Sequence, residues 1–195
     1  MKTPSTPPSG YNRRQFLART SLPLAALSVV PGSVLGLNGA TPPSEKLNLA
    51  GIGVGGQGAS DLRELESQNI VALCDVDHAY AAGTFRRYPK ARQFTDYRKM
   101  LDEMKEIDGV VVATPDHHHA FASMEAIRRG KHVYCEKPLT HSVWEARQLA
   151  AAARAAKVAT QMGNQGQASR GTRSLCELIW AGAIGNVTEA HIWTD

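Results

Sequence analysis

A glycine-rich stretch that directly follows a short apolar run constrains this chain more than any other feature. Residues 47–58 read LNLAGIGVGGQG, and glycines spaced as G-x-G-x-x-G let backbone amides approach a phosphate at a helix N-terminus. Two registers match that spacing: Gly53, Gly55 and Gly58, or Gly51, Gly53 and Gly56. We take the first, because it leaves residues 47–52 as a strand and begins a helix near residue 57, where the apolar spacing becomes helical.

The next apolar run, residues 70–74, ends in an acid, Asp75. An acid at the end of the second strand can accept hydrogen bonds from both hydroxyls of an adenosine ribose. It repels a 2′-phosphate, so it favours NAD over NADP. Alternatively, Asp75 or Asp77 caps a helix that begins near His78. The arginines that could instead accommodate a 2′-phosphate are Arg86, Arg87 and Arg92.

Residues 1–40 form a basic leader. Its four cations and absence of acids account for the whole formal net charge of +4, so the charge gives no argument for nucleic-acid binding. Arg13 and Arg14 precede Gln-Phe-Leu and a moderately apolar run, residues 22–30. This arrangement resembles a twin-arginine export signal. The run is too short and too interrupted by proline to be an integral membrane anchor.

The leader therefore predicts export to the periplasm by the twin-arginine machinery. Cleavage near Ala40 would release the protein, whereas an uncleaved leader would act as a membrane tether. The alternative is a disordered basic tail that contains an arginine pair by chance. Because this route carries folded proteins, often with a cofactor in place, it suits a dinucleotide-binding domain.

The remaining sequence predicts an α/β fold. Helical stretches alternate with short β-rich runs, as in a doubly wound parallel sheet of the Rossmann type. We assign residues 41–45 to a linker, 46–185 to this domain, and 186–195 to the start of a truncated second α/β domain. The cysteines lack the spacing of a zinc site or disulfide framework and are expected to be buried: Cys74, Cys135 and Cys176.

A strongly apolar run at residues 109–113 predicts a central strand, which leads into Thr114, Pro115 and three consecutive histidines ending at His119. Adjacent side chains at a helix start point in different directions, and no further ligand is suitably spaced. We therefore expect no metal site. Residues at the carboxyl end of a central strand are instead placed where open α/β sheets bind their ligands.

A further predicted strand, residues 131–135, ends in Glu136, Lys137 and Pro138. A lysine at this edge can hydrogen-bond a ribose or a substrate hydroxyl and assist deprotonation of that hydroxyl as hydride leaves carbon. The alternative is a structural ion pair with Glu136. Pro138 could hold the turn through a cis peptide bond.

With ATPDHHHA and GKHVYCEKPL, the chain resembles the Gfo/Idh/MocA family of NAD(P)-dependent sugar oxidoreductases. The resemblance runs from about residue 45 to the end and implies Lys137 as the catalytic residue. Asn164 and Gln165 follow a strand predicted over residues 157–162 and could reach the nicotinamide or a sugar hydroxyl. The predicted cofactor-binding residues are Gly53, Gly55, Gly56, Gln57, Gly58, Asp75, Thr114, Pro115, His119, Glu136, Lys137 and Pro138.

The implied activity is hydride transfer between a secondary alcohol of a sugar or polyol and nicotinamide. An exported enzyme meets no free nicotinamide pool, so bound NAD would have to return to its starting redox state in each turnover. Paired sugar oxidation and reduction would do this. So would transient oxidation at C3 with elimination of a glycosidic group, as in the NAD-dependent N-acetylgalactosaminidases that the exported form also resembles.

A noncatalytic NAD- or sugar-binding module is a further alternative, because the family's second domain follows the dinucleotide domain and carries other active-site groups. Here residues 187–193 look like the first strand of that domain, after which the sequence stops. We therefore expect a fragment that is incomplete for catalysis on its own. The full-length protein could be a homo-oligomer.

Overall fold

The computed structural model describes Pro42 and residues 45–193, which form a six-stranded sheet flanked by helices. The leader with its arginine pair, and most of the linker, lie outside the described residues. The strands are β1 Asn48–Ile52, β2 Asn69–Cys74, β3 Arg92–Phe94, β4 Gly109–Val112, β5 His132–Glu136 and β6 Thr160–Gly163. The helices are α1 Gly56–Glu64, α2 Ala82–Arg87, α3 Tyr97–Glu103, α4 His119–Arg128, α5 Val143–Ala156 and α6 Arg170–Trp180.

All strand pairs are parallel, and the order across the sheet is β3-β2-β1-β4-β5-β6. The predicted doubly wound α/β class is thus confirmed. Successive strands are added to one side of β1 and then, from β4 onward, to the other. The point between β1 and β4 is the topological switch, where ligands bind at the carboxyl ends of the strands in such sheets.

Strand β4 shows why the sheet is covered on both faces. Its sequence GVVV is entirely buried, as expected of a central parallel strand. Val110 and Val112 pack into a cluster that includes α3, α4 and α5, whereas Val111 packs into a second cluster with Leu62 of α1 and Phe85 of α2. Because successive side chains of a strand point to opposite faces of the sheet, β4 contributes to the hydrophobic clusters on both faces.

Several helix ends follow directly from the sequence. Asp96 caps α3 by accepting a hydrogen bond from the Arg98 backbone N–H. Gly130 adopts φ +72° after α4, the left-handed conformation in which glycine commonly ends a helix. Ser142 and Glu145 form a reciprocal capping box at the start of α5.

Two predicted boundaries were wrong. Strand β6 begins at Thr160 and not at Lys157, because Lys157 adopts a left-handed conformation (φ 55°) that ends α5. A strand cannot begin in that conformation. The helix expected from His78 begins at Ala82, and Asp77 instead accepts a hydrogen bond from the Tyr80 backbone N–H in the preceding turn.

The predicted strand at residues 187–193 is not formed in the described part of the chain. Extended backbone becomes a strand only when a neighbour satisfies its N–H and C=O groups, and these residues pair with no strand here. Helix α6 has no buried residue, so Cys176 is only partly covered, contrary to expectation, whereas Cys74 and Cys135 are buried. None of the described helices has both the length and the hydropathy needed to cross a membrane.

Candidate functional site

Two cavities lie along the carboxyl edge of the sheet, one on each side of the switch point. The smaller, about 540 Å³, is lined by Gly53, Gly55 and Asp75 among others. The larger, about 710 Å³, lies at the ends of β5 and β6, and Lys137 forms part of its wall. Both include Ala113 and Thr114 at the end of β4. An elongated ligand can therefore cross the end of β4 with one half in each cavity.

The glycine loop is shaped first by the protein's own backbone. Gly53 has φ +77°, and a Cβ atom there would lie 2.7 Å from the Ala113 carbonyl oxygen. A Cβ atom on Gly58, in the first turn of α1, would overlap the Gly53 carbonyl oxygen. Gly51 lies inside β1, outside the turn. The loop, strand and helix are thus arranged as the register of Gly53, Gly55 and Gly58 requires. Gly53 and Gly58 are needed for the close packing of the backbone.

Gly55 and Gly56 differ, because the atoms nearest to an added Cβ on either would belong to the side chain of Tyr80. Tyr80 is 68% exposed and lines the smaller cavity. Helix α1 begins at Gly56 without a side-chain cap, while the Gln57 amide donates to Asp61 at 2.7 Å. The first amides of α1 therefore form an uncapped, positive helix N-terminus of the kind that binds a pyrophosphate.

Asp75 orders the same loop. Its Oδ2 accepts hydrogen bonds from the backbone N–H groups of Val54 (2.8 Å) and Gly55 (3.2 Å), and its Oδ1 accepts one from Asp77 (2.9 Å). A carboxylate has about four acceptor positions. Asp75 can consequently hold the loop and still accept a ribose hydroxyl from the cavity.

The arginines considered for a 2′-phosphate are engaged elsewhere or lie outside the cavity lining. Arg87 pairs with Glu66, and Arg92 pairs with Glu103. Arg86 is not among the residues that line the smaller cavity. The arginine that does line it, Arg98, is bound by the carboxylate of Asp96. The residues around Asp75 therefore fit the adenosine of NAD better than that of NADP.

His119 lies within the wall between β4 and β5. Its ring is 1% exposed, with Nδ1 2.6 Å from the Pro138 carbonyl oxygen and Nε2 2.7 Å from the Thr114 carbonyl oxygen. The sequence placed Thr114, Pro115 and His119 against the cofactor. The structure places Thr114 in both cavities, Pro115 in the smaller one and His119 in the lining of the larger one. The ring nitrogens of His119 face the Pro138 and Thr114 carbonyl groups, so the ring connects the two strand ends.

The other two histidines of the triplet diverge from His119. His117 and His118 line the smaller cavity, and His118 packs edge-on against Tyr97. Burial lowers the pKa of His118, and the neighbouring His117 lowers it further. Within residues 45–193 no group of three or more histidine, cysteine or acidic side chains is arranged to hold a metal ion.

Lys137 reaches the larger cavity from the end of β5, beside Asn164 and Gln165 at the end of β6. The peptide bond between Lys137 and Pro138 is cis, as the sequence suggested. Glu136 is buried, and the backbone N–H of Lys137 faces its Oε2 at 3.4 Å. The Gln165 amide donates to Glu136 Oε1 at 3.2 Å. Glu136 thus supports, from inside the protein, the part of the larger cavity that Lys137 and Gln165 form.

Two titratable side chains that the sequence analysis did not single out lie beside Glu136. Asp61 on α1 lies beside Glu136, and burial raises the pKa of Asp61, with the Glu136 carboxylate adding to the rise. Tyr134 donates to Gln165 Oε1 at 3.0 Å, and its pKa is raised by burial and by the nearby Glu136 and Asp61. Only contacts between distant segments bring these groups together, so local motifs did not reveal them.

The family model described as "Oxidoreductase family, NAD-binding Rossmann fold" matches residues 47–164. The chain belongs to this Gfo/Idh/MocA family. The matched segment contains the glycine loop, Asp75, the end of β4 and the Glu-Lys-Pro turn. These residues form the NAD-binding Rossmann domain of this oxidoreductase family.

Named relatives fall into two activity groups. An inositol 2-dehydrogenase of Salmonella typhimurium is 27% identical over 146 residues, which cover 72% of this chain and 43% of the relative. An alpha-N-acetylgalactosaminidase of Shewanella oneidensis is 32% identical over 149 residues, which cover 68% of this chain and 32% of the relative. The chain therefore spans less than half the length of these relatives.

A solved structure shares the fold. The scyllo-inositol dehydrogenase of Lactobacillus casei, determined with bound NAD(H) and scyllo-inositol, superposes with a TM-score of 0.64. It is 20% identical, and the match covers 74% of this chain and 44% of that chain.

Proposed function

We propose that this protein binds NAD as part of an enzyme that moves hydride between a secondary alcohol of a sugar or polyol and nicotinamide, with Lys137 acting on the reacting hydroxyl. The observation that carries the proposal is the pair of cavities that share the end of β4, with Asp75 in one and Lys137 in the other. This arrangement matches a dinucleotide whose adenosine end is held away from the chemistry.

The residues present would hold NAD in a defined order. Asp75 accepts a hydroxyl of the adenosine ribose, and the amides at the start of α1 bind the pyrophosphate. Thr114 borders the path into the larger cavity. NAD, when bound, supplies the hydride acceptor for substrate oxidation.

The role of Lys137 follows from the charge that develops on the substrate. Loss of hydride from carbon is easier when the hydroxyl on that carbon gives up its proton. A lysine ammonium stabilises the developing alkoxide while the hydroxyl proton passes to water, whereas a neutral lysine amine can accept that proton itself. Asn164 and Gln165 lie on the same cavity wall and are placed to bind other hydroxyl groups of the sugar.

Replacing Lys137 tests this role. We expect Lys137→Ala in the full-length protein to lower kcat by about 10²–10⁴-fold, the usual range for a general acid or base, with NAD affinity nearly unchanged. Lys99→Ala is a matched control, because Lys99 is an exposed helix residue in an i,i+4 ion pair of little energetic weight. Undiminished turnover with intact NAD binding would remove Lys137 from the mechanism and leave a noncatalytic module as the better account.

A second candidate is a redox-neutral glycosidase or lyase that keeps NAD bound and oxidises the sugar only transiently. The 32% identity to an alpha-N-acetylgalactosaminidase supports this candidate, and export by the twin-arginine route would favour a retained cofactor. Incubating the full-length holoenzyme with aryl glycosides, without added NAD, separates the candidates. Release of the aglycone without net NADH would contradict a simple dehydrogenase.

Cofactor identity and export have separate tests. Denaturing the purified full-length protein and measuring the mass and absorbance of the released nucleotide should give stoichiometric NAD; recovery of NADP would overturn the assignment. Residues 1–40 fused to a reporter should direct it to the periplasm. Replacing both Arg13 and Arg14 by lysine should leave that reporter in the cytoplasm, and unchanged export would contradict the twin-arginine proposal.

A further inference from the structure

We propose that Tyr80 is a mobile cover of the pyrophosphate site: its ring lies over the start of α1 and must turn away before a dinucleotide can occupy the glycine loop. The Tyr80 ring and the pyrophosphate therefore compete for one position, and Tyr80 sets how fast and how tightly the ligand binds. The identity of the ligand rests on the proposed function, whereas the position of the ring is a feature of the structure itself.

The Tyr80 side chain lies directly against the second glycine of the motif. An ideal Cβ atom on Gly55 would be 2.2 Å from Tyr80 Cδ1 and 2.3 Å from Tyr80 Cε1. On Gly56, the first residue of α1, such an atom would be 2.6 Å from the Tyr80 hydroxyl oxygen. These distances are much shorter than a van der Waals contact, so Tyr80 fills the space on the Cβ side of both glycines.

That space is the one that the motif provides for a ligand. The second glycine of G-x-G-x-x-G lacks a side chain so that a pyrophosphate can approach the backbone there. The N–H groups at the start of the helix then bind the negative charge. Because the Tyr80 side chain extends across Gly55 and Gly56, a phosphate that contacts this side of the loop would overlap it. The ring has to move when the phosphate binds.

The Tyr80 ring can move while its backbone stays in place. The backbone N–H of Tyr80 donates to Asp77 Oδ1 at 2.9 Å, and the backbone N–H of Asp77 donates to Asp75 Oδ1, also at 2.9 Å. The next residue, Ala81, is fully buried. The Tyr80 ring itself is largely exposed, and exposed side chains change rotamer within picoseconds to nanoseconds. The covered and open positions of the ring therefore exchange much faster than a nucleotide binds.

The exposed fraction of Tyr80 determines the size of the effect. Tyr80 is 68% exposed, so about a third of its surface is covered in this position. Covering a third of an aromatic side chain favours the covered position about 10-fold, by the usual relation between buried apolar area and free energy. The apparent dissociation constant rises by the same factor. Association slows equally, whereas dissociation is unchanged because the ring is already displaced in the complex.

Three substitutions separate the ring from its hydroxyl and from general effects of an exposed aromatic residue. Tyr80→Ala removes the cover, and Tyr80→Phe keeps the ring but removes the hydroxyl. Trp144→Ala is the control, because Trp144 is a 69% exposed residue of α5 that lines neither cavity. Association and dissociation rates on the full-length protein are measured for NAD, for ADP, which contains the pyrophosphate, and for adenosine, which lacks it.

We expect Tyr80→Ala to bind NAD and ADP about 10-fold more tightly than wild type, entirely through faster association. Tyr80→Phe should stay within about 2-fold of wild type, because the ring provides the cover. Trp144→Ala should match wild type, and adenosine should bind Tyr80→Ala and wild type equally well. Unchanged or weaker binding of NAD by Tyr80→Ala would overturn the proposal, and an equal gain for adenosine would place the ring over the wrong part of the ligand.

A measurement without ligand separates this cover from the proposed cofactor function. Nuclear Overhauser contacts between the Tyr80 ring protons and the α-protons of Gly55 and Gly56 report the covered position. We expect these contacts without nucleotide and their loss when NAD is added. Their absence without nucleotide, or their persistence with NAD bound, would overturn the cover. Contacts in a protein that binds no nucleotide, either as wild type or as Tyr80→Ala, would instead reject the proposed cofactor function.

Discussion

Replacing Gly58 by alanine should destabilise the protein, although Gly58 lies in a helix, where alanine is normally the better residue. Its added Cβ would overlap the Gly53 carbonyl oxygen and lie 3.1 Å from the Gly53 carbonyl carbon and 3.2 Å from the Ala113 Cβ. Two of these neighbours are backbone atoms at the end of β1, and backbone cannot rotate away. The glycine loop or the whole first turn of α1 must shift.

The magnitude follows from two opposing terms. Overpacking of a close contact costs about 1–3 kcal/mol and occasionally more, and a main-chain clash belongs at the upper end. The gain in helix propensity from glycine to alanine is about 1 kcal/mol. The free energy of unfolding should therefore fall by about 2 kcal/mol or more. For a domain of this size, about 1 kcal/mol corresponds to roughly 2–4 °C, so Tm should fall by about 4–8 °C.

Gly83 supplies the matched control. It is an exposed residue of α2, and a Cβ there would meet nothing within 4 Å. Gly83→Ala should gain about 0.5–1 kcal/mol and raise Tm by a few degrees. Calorimetry of both variants, without nucleotide, makes the comparison. If Gly58→Ala raises Tm as much as Gly83→Ala does, the close helix–strand packing inferred for the glycine loop is wrong.

His119→Phe should keep the volume of the ring but remove the nitrogens that face the Pro138 and Thr114 carbonyl oxygens, so kcat should fall more than NAD affinity; equal loss of both would contradict a role in aligning the turn that carries Lys137. Burial raises the pKa of Cys135 to about 11 and that of Cys74 to about 12. At pH 8 a thiol reagent should therefore modify Cys176 rapidly and the other two only on unfolding, and rapid loss of all three thiols would refute this. Asp75→Ser should weaken NAD binding at least 10-fold without creating tight NADP binding, which titration with both nucleotides checks.

Most of the sheet could be predicted from local sequence because its signals are local. The run GVVV of β4 and the glycine pattern after β1 each report buried strands or tight turns through neighbouring residues alone. The boundary of β6 could not, because Lys157 takes a left-handed conformation that favours glycine, and its sequence gives no sign of this. In that geometry the backbone N–H of Lys157 donates to the Arg154 carbonyl oxygen, and the backbone N–H of Val158 donates to that of Ala153, which closes the end of α5.

The residues of the candidate site likewise fall into those that local sequence predicts and those that it does not. Asp75 and Lys137 follow apolar runs directly, so the sequence placed them at strand ends. The positions of Asp61, Tyr80 and His119 in the site depend on contacts across separate elements, such as that of the Tyr80 side chain with Gly55 and Gly56 and those of the His119 ring with the Thr114 and Pro138 carbonyl groups. Nothing in the spacing of a single motif specifies such contacts, because they arise only when α1, β2 and β5 have been assembled.

The hydrogen bonds of Asp75 have a consequence for how cofactor preference can change. The Asp75 carboxylate that accepts hydrogen bonds from the backbone N–H groups of Val54 and Gly55 is also the group that would bind the ribose. A mutation of Asp75 that relaxes discrimination between NAD and NADP also removes the hydrogen bonds that order the glycine loop. A switch from NAD to NADP would therefore require a second change that restores loop order before an arginine could add affinity. The effect of a mutation at Asp75 on cofactor preference therefore depends on a second site. Laboratory evolution should obtain NADP-dependent variants only as double variants in which the second substitution restores the order of the loop.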